Sequence, residues 1–127
     1  MKLKIIYNRE HVSRPVLANV VIKTGEPVNI LEASITPRGG EMVIDVSDEA
    51  SVERVIEAFK EEGVTVRELT KQLEIDVAKC ISCGACTSPC PVGAIRMEGE
   101  VVRVEEGRCV RCQACVYACP VRAIRLL

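Results

Sequence analysis

An α+β fold in two parts is what this sequence predicts: a β-α-β-β-α-β unit over residues 1–70, then a small duplicated unit over residues 73–127. Three observations predict it. Before residue 70, apolar residues alternate with period two in four stretches and recur at helical spacing in two others. All eight cysteines lie beyond residue 79. Those cysteines form two tracts of one spacing, offset by 29 residues.

Taken in order, "KLKIIY" alternates through Leu3, Ile5 and Tyr7, the pattern of a half-buried strand. "SRPVLANVVIKTG" predicts a helix with Ser13 as its N-cap and Pro15 in its first turn. Leu17, Val20 and Val21 take helical spacing, and Gly25 is the stop signal. "VNILEASIT" and "EMVIDV" read as two strands joined through "PRGG", with the hairpin turn at Gly39 and Gly40. "SDEASVERVIEAFKEEG" predicts a second helix, capped by Ser47 or Asp48, with acidic residues in its first turn and Gly63 at its end. Val52, Val55, Ile56 and Phe59 form its apolar stripe. "VTVREL" is the last strand. This order predicts the split βαβ sandwich, an antiparallel sheet with two helices on one face. "TKQ" at 70–72 is a short joint.

Composition excludes several function classes. Nearly half of the 127 residues are apolar, which supports a globular core. Tyr7, Phe59 and Tyr117 are the only aromatic residues, too few for base-stacking platforms. A net charge of −1 supplies no field for nucleic acid. No apolar run approaches the length that spans a bilayer. "MKLKIIYNRE" lacks the apolar region and small-residue cleavage site of a secretory signal, so the expected location is the cytoplasm. There, clustered cysteines more often bind metal than pair as disulfides.

The repeat is strict. Cys80, Cys83, Cys86 and Cys90 correspond to Cys109, Cys112, Cys115 and Cys119, and ten of seventeen positions are identical between 80–96 and 109–125. "LEID" at 73–76 aligns with "VRVE" at 102–105. Three cysteines spaced C-x2-C-x2-C wrap one face of a metal centre, and a fourth ligand must come from elsewhere. In the C-x2-C-x2-C-x3-C-P run of bacterial two-cluster ferredoxins, the fourth cysteine ligates the other cluster. Applied to these residues, Cys80, Cys83, Cys86 and Cys119 hold one 4Fe–4S cluster, and Cys109, Cys112, Cys115 and Cys90 hold a second. Pro91 and Pro120 each end the helical turn that delivers the crossed cysteine. The intervening Ser82, Gly84, Ala85, Gln113 and Ala114 are mostly small, allowing backbone N–H groups to reach cluster sulfurs.

Other readings compete. Two four-cysteine zinc sites would use thiolates, but zinc sites usually pair separated C-x2-4-C knuckles. Four disulfides fit neither the compartment nor three cysteines within seven residues. A dithiol redox motif does not need four tandem copies. The clusters also act as staples, because so short a unit cannot build a self-sufficient core.

Charge follows the division. Residues 1–70 carry nine basic and twelve acidic side chains, a net of −3, whereas residues 71–127 carry eight and six, a net of +2. Each oxidised cluster with four thiolates contributes about −2, so the basic surplus compensates cluster charge. Arg108 and Arg111 flank Cys109, where they either raise the potential of that cluster, steer an acidic partner, or are solvated surface charges. His11, the only histidine, is expected to have a capping or surface role.

Residues 74–127 resemble a bacterial-type two-cluster ferredoxin, with all eight ligand positions and both prolines present. Residues 1–70 resemble the NIL domain, through Asn29-Ile30-Leu31 within "PVLANVVIKTGEPVNILEASITPRGGEMVIDV". The resemblance implies a ferredoxin-like α+β sandwich for the first unit and amino-acid binding of the kind NIL domains perform in methionine-importing transporters. Fusions of these two parts resemble the iron–sulfur subunit of a system that builds sulfide into L-aspartate semialdehyde to make homocysteine. That implies electron transfer to a redox partner, the catalytic sulfurtransferase subunit, with the NIL domain as docking module, sensor or homo-oligomer contact. The alternative within the same resemblance is a general low-potential ferredoxin whose NIL domain senses methionine or another amino acid. A sulfur-transfer catalyst is the competing class. It needs a free activated thiolate, and the motif already occupies all eight cysteines.

Overall fold

Period-two alternation buries Leu3 and Ile5 in β1 (Lys2–Tyr7) and places that strand in the interior of a sheet ordered β2-β3-β1-β4. The computed structural model describes residues 1–127. β2 spans Asn29–Thr36, β3 Gly39–Asp45 and β4 Thr65–Leu69, and every neighbouring pair is antiparallel. Register sets Leu3 opposite Ile44 and Ile5 opposite Met42. These four share one core with Val16 and Val20 of α1 (Val16–Thr24) and with Val52, Val55 and Phe59 of α2 (Val52–Glu61), so both helices cover the same sheet face. No helix is long and apolar enough to cross a membrane.

Several expectations for this unit need correction. Ser13 does not cap α1. Pro15 occupies the N-cap position without a side-chain hydrogen bond, because residues 8–14 are taken up by a tight turn closed by Arg14 N–H on the His11 carbonyl (3.1 Å). Val16, Val20 and Thr24 are the buried residues of α1, while Leu17 packs against the core from the margin and Val21 is half-buried. Gly25 does end α1, left-handed at φ 68°. The β2–β3 turn falls at residues 37–38, and Gly39 already pairs with Thr36. Gly40 lies inside β3, where a Cβ would stand 2.1 Å from the Ser34 carbonyl oxygen, a space only glycine leaves open.

Asp48 supplies the second cap, but first for a 3-10 turn at Glu49–Ser51, its side chain accepting the Ala50 N–H at 3.0 Å. The buried stripe of α2 then runs through Val52, Val55, Ala58 and Phe59, leaving Ile56 at its margin. His11 is not at the surface. It is 6% exposed, and its Nδ1 accepts the Asn8 N–H at 3.2 Å, bracing the turn from inside.

The chain divides by contacts at Met1–Thr70 and Lys71–Leu127. The second unit is built from two short antiparallel ribbons. β5 (Leu73–Ile75) pairs with β8 (Ile124–Leu126), and β6 (Ile95–Glu98) pairs with β7 (Val101–Val104). The start of one repeat therefore pairs with the end of the other. α3 (Ala114–Ala118) precedes Cys119, whereas the matching stretch of the first repeat forms only turns. Pro89 stands where the second repeat has Ala118, and a proline there lacks the N–H and clashes with the preceding turn.

Candidate functional site

Each three-cysteine loop is shaped by left-handed residues between its cysteines. Ser82 (φ 57°) and Gly84 (φ 74°) take this conformation in the first repeat, Arg111 (φ 60°) and Gln113 (φ 66°) in the second. Left-handed residues at every second position curl the chain so that successive N–H groups point inward, a concavity suited to anionic sulfur. A further pair follows each fourth cysteine, at Gly93 (φ 62°) and Arg122 (φ 52°).

Strand pairing then decides which cysteines meet. The Asp76 N–H donates to the Ala123 carbonyl at 2.7 Å, and the Glu105 N–H donates to the Ala94 carbonyl at the same distance. These bonds tie the entrance of each loop to the exit of the other repeat. Cys80, Cys83, Cys86 and Cys119 consequently line one cavity, walled by Ile75, Ile81, Val102 and Ile124. Cys90, Cys109, Cys112 and Cys115 line a second, walled by Leu73, Val92, Ile95 and Val110. Each cavity collects three sulfurs from one repeat and one from the other.

The residues fit a polynuclear group. All eight cysteines are free thiols, and nowhere do three candidate ligands converge closely enough to hold a single ion. Four sulfurs spread around an apolar hollow instead match a cluster that fills it. Backbone donors are already aimed. The Ala94 N–H donates to Cys90 Sγ at 3.1 Å, and the Ala123 N–H donates to Cys119 Sγ at 3.2 Å. Burial raises the Cys90 thiol, but N–H groups of Ala94, Val92, Ile95 and Gly93 outweigh it and hold that thiol below its ordinary value. The Ala123 N–H does the same for Cys119. Burial pushes Cys115 up to about 11 and also raises Cys86, with neighbouring cysteines adding to both. Thiolates at the deep positions therefore need a cationic group, such as bound iron, to offset their desolvation.

The two arginines beside Cys109 differ in kind. Arg108 is exposed and lies 3.7 Å from Glu105. Arg111 is not a surface charge. It is 4% exposed, lines the second cavity, and donates to Gln72 Oε1 at 3.0 Å and to the Leu127 carbonyl at 2.8 Å. Sequence reasoning also missed Ala94 and Ala123 as donors. The signal was present in the shared Ala-Ile-Arg that comes one residue after each Cys-Pro-Val.

A family model described as a 4Fe-4S dicluster domain matches residues 79–123, and the NIL domain model matches residues 2–68. A dicluster domain carries two 4Fe–4S clusters, and the two four-cysteine cavities accommodate that number. The chain is 30% identical over 101 residues to the L-aspartate semialdehyde sulfurtransferase iron-sulfur subunit of Methanocaldococcus jannaschii, covering 77% of this chain and 76% of that one. It is 34% identical over 92 residues to the subunit of the same name from Methanosarcina acetivorans, covering 72% and 70%.

Proposed function

Because the chain belongs to the family of NIL-domain proteins that includes the L-aspartate semialdehyde sulfurtransferase iron–sulfur subunits, we propose that it is the electron-carrying subunit of a system inserting sulfide into L-aspartate semialdehyde to form homocysteine. The observation that carries the reading is the gathering of all eight cysteines into two cavities, four to each. Cys80, Cys83, Cys86 and Cys119 are the ligands of one cluster, and Cys90, Cys109, Cys112 and Cys115 those of the other. No thiol is left to act as a nucleophile or persulfide carrier, so the reacting cysteine belongs to a partner, the catalytic subunit.

When bound, the clusters supply one-electron storage. A disulfide left on the partner takes two electrons and two protons to give two thiols, and two one-electron sites match that demand. The chain's own part is to hold both sites within one small unit, exclude water with the apolar walls, and expose an edge for exchange. Cys83 and Cys112 are the exposed members of the two sets and mark those edges. The first unit reads as a split βαβ sandwich, supported by its strand order, and serves as the docking or sensing module. The setting is the cytoplasm.

The test has two arms. Protein purified without oxygen should carry about eight irons and eight acid-labile sulfides; stoichiometric zinc without iron would refute the cofactor. In a host lacking other homocysteine routes, deleting the gene should create a requirement for homocysteine or methionine. Growth without the supplement refutes the pathway, while full rescue by a Cys83→Ala/Cys112→Ala variant removes electron transfer from its mechanism.

A further inference from the structure

The two repeats are near copies, so the places where their cavities differ show what has been set separately for each. Backbone donors to the crossed sulfurs are matched, at 3.1 Å and 3.2 Å. The basic residues just before each loop are matched too, Lys79 and Arg108, and both are exposed. Among the positions that differ, one puts a charged side chain into a cavity wall. Ser82 and Arg111 occupy the same place, two residues into each loop, and share the left-handed backbone. Ser82 is exposed and donates its hydroxyl to the Glu100 carbonyl at 2.6 Å. Arg111 is buried in the wall of the second cavity, its guanidinium held by Gln72 and the Leu127 carbonyl.

We propose that Arg111 makes the two cluster sites electrically unequal, setting the potential of the site formed by Cys90, Cys109, Cys112 and Cys115 above that of the other. The first electron taken from a low-potential one-electron reductant then resides in that site. This rests on the two-cluster reading of the cavities. Adding an electron to a cluster adds one negative charge, and a fixed cation in a dry wall lowers the free energy of that state. Three features oppose or dilute the effect. Cys109 is buried where Cys80 is half-buried, which disfavours added charge in the second site. Glu106, which accepts the Gln72 N–H at 2.6 Å, brings a carboxylate to the same group of side chains. Arg122 follows Cys119 of the first set but is exposed, where solvent and salt screen it. A buried guanidinium in direct contact with the cavity outweighs these.

The experiment is a redox titration of the anaerobic holoprotein followed by EPR. Two separate one-electron waves are expected. Arg111→Gln should lower the upper wave by at least tenfold in its equilibrium, 59 mV for one electron, and leave the lower wave in place. Arg111→Lys, which keeps the charge, should retain most of the separation. Glu106→Gln should move the upper wave the other way, upward. Ser82→Ala should move neither. Coincident waves in the unsubstituted protein overturn the proposal, as does an Arg111→Gln change that moves both waves together, the lower one alone, or neither. Where Arg111→Gln does not fold, Glu106→Gln decides the matter, and an upper wave that does not move in that variant overturns the proposal. Failure of the two-cluster reading is distinct, since iron would then be missing altogether.

Discussion

Removing two ligands at a time separates crossed from uncrossed ligation without ambiguity. The cavity grouping sets Cys83 and Cys119 together and Cys83 and Cys90 apart. A Cys83→Ala/Cys119→Ala protein should therefore lose one cluster and keep the other intact, so its reduced four-iron EPR signal integrates to about half of the parent's two clusters. A Cys83→Ala/Cys90→Ala protein has one ligand missing from each set and should keep no intact four-iron signal. If each fourth cysteine served its own repeat, the two results would exchange. Both variants also carry a comparable backbone cost, since each loses one matched N–H to sulfur bond. Losing Cys119 leaves the Ala123 N–H without its sulfur acceptor, worth about 1–3 kcal/mol when buried. At roughly 0.05–0.15 kcal/mol per residue, a unit the size of Lys71–Leu127 has only about 3–9 kcal/mol of stability to lose. Anaerobic spin quantitation with iron analysis is the assay. An intact half-signal in the Cys83/Cys90 variant would refute the argument from cavity lining.

Three further outcomes follow from the packing. Phe59, with no exposed surface in the core of the first unit, should cost about 3–5 kcal/mol on Phe59→Ala, read from urea unfolding by circular dichroism; a loss under about 1 kcal/mol would mean the site collapses around the gap. Gly40→Ala forces a Cβ onto the Ser34 carbonyl and should destabilise by about 1–3 kcal/mol or more, while Gly107→Ala, which meets nothing within 4 Å, should stay within about 0.5 kcal/mol in the same assay. Chelating iron under mild oxidation should bleach the protein and unfold the second unit together; retained β structure there, seen by hydrogen exchange, would show that its core stands without metal.

Local rules settle what depends on neighbours in the chain. Alternation placed β1 and β3, the i, i+3, i+4 stripe placed α2, and the glycine at 25 ended α1, because each depends on residues within a turn or two of one another. The cysteine spacing identified the cofactor class for the same reason: three sulfurs within seven residues are a local geometric fact. Where two local signals competed, the winner was decided by packing. The turn at residues 8–14, braced by buried His11, displaced Ser13 from its cap, and the register with β3 moved the hairpin turn off its glycines. Arg111 could not be told from Arg108 in the sequence, since both are arginines beside one cysteine. Only the meeting of Gln72, Leu127 and the second loop buries one of them. The motif leads one to expect Cys119 beside Cys80 and Cys90 beside Cys109. The placing itself depends on two ribbons, one joining strands at opposite ends of the second unit and one a tight hairpin between the repeats. It is the antiparallel pairing of β5 with β8 and β6 with β7 that closes those distances, because a hydrogen-bonded ribbon fixes both of its strands at once.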